Sequence, residues 1–379
     1  MHVLIPALHR PIKPTGVCRH AANLAQCLAD LDRISCVTLL IGEWQKAYFE
    51  QSFRFESPKI QIVSINIKNS SLARNRWFMF GLPNLAQKLK PDIIHMSFPF
   101  PFVRQWFIVP VVSTIHDLYP YECPENFGYP RVWFNQLFLH QCIANSDGLS
   151  CVSKCSSDTL IRYFPQVQKR KQVEVIYNVV DFSKIRPKRP HQLTAYNSVP
   201  FFLTVAQHRK NKNLDILIQA YNNLLHEKRL KTKTKLFIVG SSGPETETLT
   251  TLVKTLKLEH QVQFLSGLDD GELRWLYEKA TLFVIPSSTE GFCLPLVEAL
   301  TLSCPVVCSD IPIFKEVGSE TCTYFQLASA PISNLATAIV HSIEMSCSRI
   351  SSVNQNFSKP TIAQKLLDFY ALVDAKAGF

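Results

Sequence analysis

The chain has 379 residues, 46% apolar and 18% charged, too long for a single core and too apolar for a disordered chain, so two domains are the first expectation. Lysine and arginine number 40 against 30 aspartate and glutamate, a net charge of +10, which favours an anionic partner without choosing between nucleic acid, an anionic membrane surface and a phosphorylated substrate. The apolar start Val3 to Leu8 is too short for a signal-peptide core and lacks a basic leader, and the apolar stretch Phe98 to Val112 is broken by Arg104 and three prolines. A cytoplasmic protein without a membrane span is expected.

Short apolar runs alternate with amphipathic segments, the pattern of parallel strands covered on both faces by helices. The first half predicts strands at Val3–Pro6, Ser35–Leu40, Ile60–Ile65, Ile93–Met96, Val111–Ile115, Gly148–Val152 and Val173–Ile176, with helices near Val17–Asp30, Leu72–Lys88 and Val132–Ala144. The helix around Leu72–Lys88 holds Arg74, Arg76, Trp77, Phe78 and Phe80, with Gly81 and Pro83 inside it. That cluster reads as a core-facing aromatic stripe with solvated arginines, or else as a membrane-surface or acceptor-binding face. The second half predicts strands at Phe201–Val205, Lys235–Val239, Val262–Leu265, Leu282–Pro286 and Pro305–Cys308, and a closing helix over Ile362–Val373. Asp181–Pro200, with three prolines and four Lys or Arg, shows no apolar periodicity and reads as a linker. The expected organisation is therefore an α/β chain of two doubly wound domains, 1–180 and 201–360, joined by 181–200 and closed by 361–379.

Charge is uneven, with 19 Lys+Arg and 12 Asp+Glu in residues 1–180 (net +7) against 21 and 18 in residues 181–379 (net +3). The twelve cysteines are scattered in apolar contexts with no CxxC pair, which favours buried reduced thiols over a zinc or disulfide framework. No Asp-x-Asp sequence is present to bind a metal.

The most informative segment runs from Phe283 to Leu300, a buried strand, a Pro-Ser-Ser-Thr-Glu-Gly loop and a helix beginning near Leu294–Pro295. Strand, polar loop and helix start present free backbone N–H groups to an anion. Glu290 and Glu298 flank the turn, and ionised carboxylates suit the hydroxyls of a sugar or ribose better than they suit phosphate. A second segment, Phe201 to Tyr221, places Arg209, Lys210 and Lys212 at the carboxyl end of a strand, where an open α/β sheet binds anions. Further marks are Thr15-Gly16 at the first helix start, histidines ending strands at His95 and His116, Asp117 beside the latter, and Ile176-Tyr-Asn-Val-Val-Asp181 at the linker entry.

Glu290-Gly-Phe-Cys-Leu-Pro with Glu298-Ala resembles the Glu-x7-Glu signature of the retaining glycosyltransferases of family four (group one), and the other marks fall in the same family's order from Gly16 to about Glu316. The resemblance implies the GT-B fold, two Rossmann-like domains facing a central cleft, with acceptor binding in the first and donor binding in the second. It implies that Arg209 and Lys212 hold the donor diphosphate together with the backbone around Gly291, Phe292, Cys293 and Leu294. Glu298 is implied for the ribose hydroxyls, Glu290 for the donor sugar and the reacting centre, and His116 for the sugar. Gly240 and Gly267 are implied along the nucleotide, with Gly16 and Asp117 on the acceptor side. Cys293 and Ser303 stand where the family usually has glycine.

The expected activity is transfer of a sugar from a nucleoside-diphosphate sugar to a hydroxyl of a glycan or lipid-linked saccharide, with retention, and with no metal or other cofactor. The cationic first half leaves room for peripheral attachment at the inner face of the cytoplasmic membrane. Competing readings are a degenerate GT-B subunit serving a partner transferase and a sugar-nucleotide epimerase. A nucleic-acid binder would need a reading surface beside the charge, and no such motif is present.

Overall fold

The computed structural model describes all residues except 11–14, 54, 125–127, 194–198, 232, 346–354, 378 and 379. It divides into two compact units, Met1–Val179 with Gln355–Phe379, and Val180–Asn354. The segment read as a linker therefore belongs to the second unit, apart from 194–198, which lie outside the described residues. The last helix, Lys359–Ala377, closes the first unit and not the second.

The first unit is built on seven strands: β1 (His2–Pro6), β2 (Cys36–Gly42), β3 (Ile60–Ile65), β4 (Ile93–Met96), β5 (Val111–Ile115), β6 (Gly148–Cys151) and β7 (Gln172–Val175). They form one parallel sheet in the order β3-β2-β1-β4-β5-β6-β7. Alternate strand residues feed the two faces. Val3, Ile5, Val37 and Leu39 pack with helix Gly16–Ala29 and the last helix, while Leu4, Leu40, Ile94 and Met96 pack with Phe78, Leu82 and Cys142 on the other side.

The segment read as one helix over 72–88 is helical throughout but changes pitch. Ser71–Arg76 and Leu82–Leu89 are α-helical, and Trp77–Gly81 forms a wide π turn in which the Leu82 N–H reaches the Trp77 carbonyl. Pro83 explains it: its ring clashes with a carbonyl four residues back in a regular helix, and the wider turn relieves the clash. The expected pattern of solvated arginines holds for exposed Arg76 but not for Arg74, which is buried. Phe78 is buried as a core residue, whereas Phe80 faces outward.

The second unit has six parallel strands, β8 (Phe201–Val205), β9 (Lys235–Val239), β10 (Val262–Leu265), β11 (Leu282–Ile285), β12 (Val306–Ser309) and β13 (Thr323–Phe325), in the order β10-β9-β8-β11-β12-β13. Its core joins Phe202, Leu236, Ile238, Val284 and Val307 to helix Leu214–His226 and helix Pro331–Glu344. None of the described cysteines is in a disulfide, and eight of them are buried. No described helix is long and apolar enough to cross a membrane.

Candidate functional site

In the second unit the two cationic and acidic segments lie side by side because β8 and β11 are neighbours. The loop after β8 forms a short 3-10 turn, Lys210–Lys212, and then Asn213 enters helix Leu214–His226 in the left-handed region at φ 48°. Asparagine tolerates that conformation better than most residues. The Asn213 amide donates to the Pro286 carbonyl at 2.8 Å, Asn211 donates to Thr289 O at 3.3 Å, and Ser288 N donates to Asn211 O at 2.9 Å. These bonds tie the two loops together.

Lys212 Nζ consequently meets Glu290 Oε1 at 2.5 Å, with the two side chains only 17% and 10% exposed. Ser287 Oγ donates to the same oxygen at 2.8 Å. A carboxylate so held is fixed in place, and a largely buried ion pair needs such supporting hydrogen bonds to offset desolvation. Arg209 starts the 3-10 turn and is exposed. Lys210 is also exposed, whereas Lys212 is half-buried.

Cys293 caps helix Leu294–Thr301 at φ 65° and ψ 72°, and Ser303 follows the helix at φ 55°. Both non-glycine residues therefore adopt backbone that favours glycine, at a cost of about 1–2 kcal/mol each. The Cys293 thiol is buried, and burial followed by the Glu290 carboxylate pushes its pKa well up, with Lys212 opposing. It is a packed thiol and not a thiolate. Pro295 sits in the first turn of that helix, and Gly291, Phe292 and Leu294 line the approach to it, Phe292 buried.

Glu298, one turn into the helix, is buried and accepts from the Tyr277 hydroxyl at 2.9 Å. Tyr277 lies on helix Asp270–Lys279, and burial next to the Glu298 charge raises its pKa well above the ordinary value. Gly240, just past β9, has no room for a β-carbon, which would fall 1.9 Å from the Ala206 carbonyl oxygen. The close backbone approach expected there is thus to the neighbouring loop of the same unit. Gly267 has φ +70° and open space around it.

Sequence reasoning missed His208, Ser287, Asn211 and Tyr277. His208 Nδ1 lies 2.9 Å from Thr246 Oγ1 in a hydrogen bond, and the same hydroxyl accepts from Gly243 N. Its buried Nε2 has no partner among the described residues. The dense Asn and Ser content of the two loops was the available signal for Asn211 and Ser287, because such side chains satisfy loop backbone. Nothing in sequence distinguishes Tyr277 from any aromatic on an amphipathic helix.

In the first unit, His116 follows β5 and donates from Nε2 to the Ser97 carbonyl at 2.9 Å. Burial lowers its pKa to about 4, so it is a neutral ring at pH 7. It packs edge-on against His20 with centroids 4.7 Å apart and stacks on Phe98 at 5.9 Å. Asp117 Oδ1 accepts from Tyr119 N at 3.1 Å, and Gly16 is exposed at the start of the first helix.

Beneath His116 lies a buried polar network. His20 pairs with Asn178 Oδ1 at 2.5 Å and with Thr114 Oγ1 at 3.3 Å. His95 pairs with Thr114 Oγ1 at 2.7 Å and with the Tyr370 hydroxyl at 2.6 Å, so a strand-end histidine fastens the last helix to the sheet. A cavity of about 10 Å³, the size of a single water, opens among His20, Thr114, Ser150 and Asn178.

With this geometry in place, the class is settled by comparison. The family model for Glycosyltransferase Family 4 matches residues 14–184 and that for Glycosyl transferases group 1 matches residues 185–345. The chain is a family-four, group-one glycosyltransferase of the GT-B fold. It is 28% identical over 318 residues to the O-antigen chain mannosyltransferase RfbU of Salmonella typhimurium, covering 82% of each chain. It is 36% identical over 176 residues to an N-acetylgalactosamine-N,N'-diacetylbacillosaminyl-diphospho-undecaprenol 4-alpha-N-acetylgalactosaminyltransferase of Campylobacter jejuni, covering 46% of this chain and 45% of that one. Another curated relative, an O-antigen chain mannosyltransferase of Escherichia coli, is matched over only 54% of its length. Among solved structures, sucrose-phosphate synthase of Thermosynechococcus elongatus superposes with a TM-score of 0.74 at 17% identity, covering 99% of both chains, which speaks to fold alone.

Proposed function

We propose that the chain transfers a sugar from a nucleoside-diphosphate sugar to a hydroxyl of a lipid-linked saccharide, with retention at the anomeric carbon and without a metal ion. The carrying observation is the Lys212–Glu290 pair fixed between two knitted loops beside Arg209. Two cations next to a helix start are the groups needed where a diphosphate departs and negative charge grows on it. A helix terminus contributes about 1 kcal/mol, and enzymes typically remove about 8–23 kcal/mol. Orientation of donor and acceptor must therefore supply much of the rest.

In this reading Arg209 and Lys212 hold the diphosphate, Glu298 takes the ribose hydroxyls, and Glu290 takes the donor sugar hydroxyls. Gly267 gives the nucleotide open backbone. His116, neutral and oriented by Ser97, offers its other ring nitrogen to a sugar hydroxyl. The acceptor oxygen bonds to the anomeric carbon on the face from which the diphosphate leaves. The departing diphosphate oxygen keeps the bonding electron pair and receives the acceptor proton. No covalent nucleophile is required.

A lipid-linked acceptor is supported by the diphospho-undecaprenol saccharide in the name of the Campylobacter relative and by the surface of the first unit. Leu72, Phe80, Trp106, Trp133, Phe134 and Leu137 are all exposed on the layer formed by the 71–89 and 131–145 helices and the 104–106 turn. Six Lys or Arg and no acidic residue lie between Glu56 and Asp92. Apolar side chains among cations suit an anionic leaflet, where the carrier lipid resides.

The test is transfer of labelled sugar from UDP-, GDP- and ADP-sugars into an organic-extractable carrier lipid, with EDTA present throughout. Incorporation from one donor is expected. Turnover of the nucleotide sugar without any acceptor would favour an epimerase, and full loss in EDTA would contradict the metal-free mechanism.

A further inference from the structure

The first unit contains a second set of unsatisfied polar groups, and they lie where its sheet changes direction. The chain runs outward from β1 to β3 on one side and from β4 to β7 on the other, so the β1/β4 boundary is the switch point at whose carboxyl edge open α/β sheets bind ligands. His9 follows β1, Ser97 follows β4 and His116 follows β5.

His9 is 4% exposed and Arg74 is 8% exposed, yet among the described residues neither His9 Nδ1 nor Arg74 Nε has a hydrogen-bond partner. Among the described residues Arg74 makes one side-chain bond, and it is long, 3.5 Å from Nη2 to Ser71 Oγ. Buried polar groups are nearly always satisfied, and a buried guanidinium without a counter-charge is costly. Burial and the neighbouring charge of Arg10 both lower the Arg74 pKa, and no carboxylate among the described residues pairs with it, so an anion would relieve both costs. Asn69 donates to the Arg10 carbonyl at 3.0 Å and thereby fixes that loop against the start of the Arg74 helix.

The state of His9 can be worked out from its neighbours. Ser97 Oγ donates its hydrogen to Pro6 O at 2.7 Å, so at 3.3 Å from His9 Nε2 it acts as the acceptor. Burial lowers the His9 pKa to about 3, with His116 and Arg74 adding to it. The neutral ring therefore carries its proton on Nε2 and presents a bare lone pair at Nδ1. The two groups share one corner of the unit, because His9 stacks on Phe100 at 6.0 Å and Phe100 on Phe78 at 3.8 Å, one helical turn beyond Arg74; a buried donor on a cation and a buried acceptor lone pair suit a ligand with an anionic oxygen and a hydroxyl.

We propose that Arg74, Arg10 and His9 form a phosphate-ester site in the first unit, in which Arg74 and Arg10 hold a phosphoryl oxygen and His9 Nδ1 accepts from a hydroxyl of the attached sugar. The proposal rests on the glycosyltransferase reading and assigns the acceptor its chemical class, a glycosyl phosphate or diphosphate.

The test is calorimetric titration, in EDTA, of the Arg209→Ala/Lys212→Ala chain, from which both donor-side cations have been removed. The probes are inorganic pyrophosphate, glucose 1-phosphate and farnesyl diphosphate. Binding is expected, and adding Arg74→Gln should weaken it at least tenfold. Arg74→Lys and His9→Gln, each with its fold checked by circular dichroism, should weaken it about threefold or more, the latter for glucose 1-phosphate. Tighter binding of farnesyl diphosphate marks a lipid carrier as the source, and tighter binding of glucose 1-phosphate marks a soluble one. Absence of binding by all three probes, or equal affinity with and without the Arg74 and His9 substitutions, overturns the site. Failure of the glycosyltransferase reading would appear separately, as a wild-type chain that binds no nucleotide sugar.

Discussion

The two units solve the same problem, placing polar groups at the carboxyl edge of a parallel sheet, in opposite ways. The second unit uses charge, with Lys212 against Glu290 and Arg209 left exposed. Apart from Arg74 and Arg10, the first uses neutral rings, with His9, His20, His95 and His116 all held below their ordinary pKa by burial. The contrast teaches that a charged site is readable from sequence because it occupies a short loop, whereas a neutral network is spread over distant strands.

The largest expected effect comes from breaking the charged side. Lys212→Ala should lower turnover by roughly 10²–10³, the scale for removing one group that stabilises developing charge. It also leaves Glu290 nearly buried without its partner, so a loss of about 3 kcal/mol in denaturant unfolding is expected. Wild-type-like turnover in this variant would remove Lys212 from the site.

Acid sharpens the other half of the comparison. Unfolded histidine has a pKa near 6.5, whereas His116 sits at about 4 and His9 and His95 at about 3 in the fold. Between those values the unfolded chain binds protons that the folded chain does not, so stability falls as pH drops from about 6.5 toward 4. Each ring contributes up to about 1.4 kcal/mol per pH unit. His95→Gln should lower the slope by one proton, measured by urea unfolding across that range, and an unchanged slope would show that the ring titrates normally.

A smaller effect belongs to Tyr277→Phe, which removes the hydroxyl from buried Glu298. A bond to a charged acceptor is worth about 1.5–3 kcal/mol, so the unfolding midpoint should fall, and an unmoved midpoint would mean that the bond adds nothing. The smallest change goes the other way. Ser303→Gly relieves a residue at φ 55° and should stabilise by about 0.5–1 kcal/mol, the opposite of glycine in a helix interior. A loss of stability would show that the Ser303 side chain matters more than its backbone.

Much of the fold was legible because parallel strands are short apolar runs of fixed length, and twelve of thirteen strands were placed within a few residues. β13 was missed because Thr323–Phe325 is a three-residue edge strand, too short to carry a pattern. Sequence shows a closing helix but not which unit it closes, since a helix does not announce which sheet it returns to. The Lys359–Asp30 ion pair, the His95–Tyr370 bond and the apolar face around Phe369 show that it returns to the first. In the second unit, Glu290, Lys212 and Glu298 were found by sequence, but Tyr277 was not, because its partner Glu298 lies 21 residues further on, on a different helix. Arg74 was read as solvated because burial of an arginine leaves no trace in local periodicity.

The most direct test of the central claim is the thermal stability of the purified chain against UDP, GDP, ADP and their sugar conjugates, with EDTA or with Mg²⁺. A ligand at a hundred times its Kd adds about 2.7 kcal/mol. The account predicts a shift with one nucleotide family that persists in EDTA and disappears in Lys212→Ala. A shift that requires Mg²⁺, or no shift with any nucleotide, would contradict it.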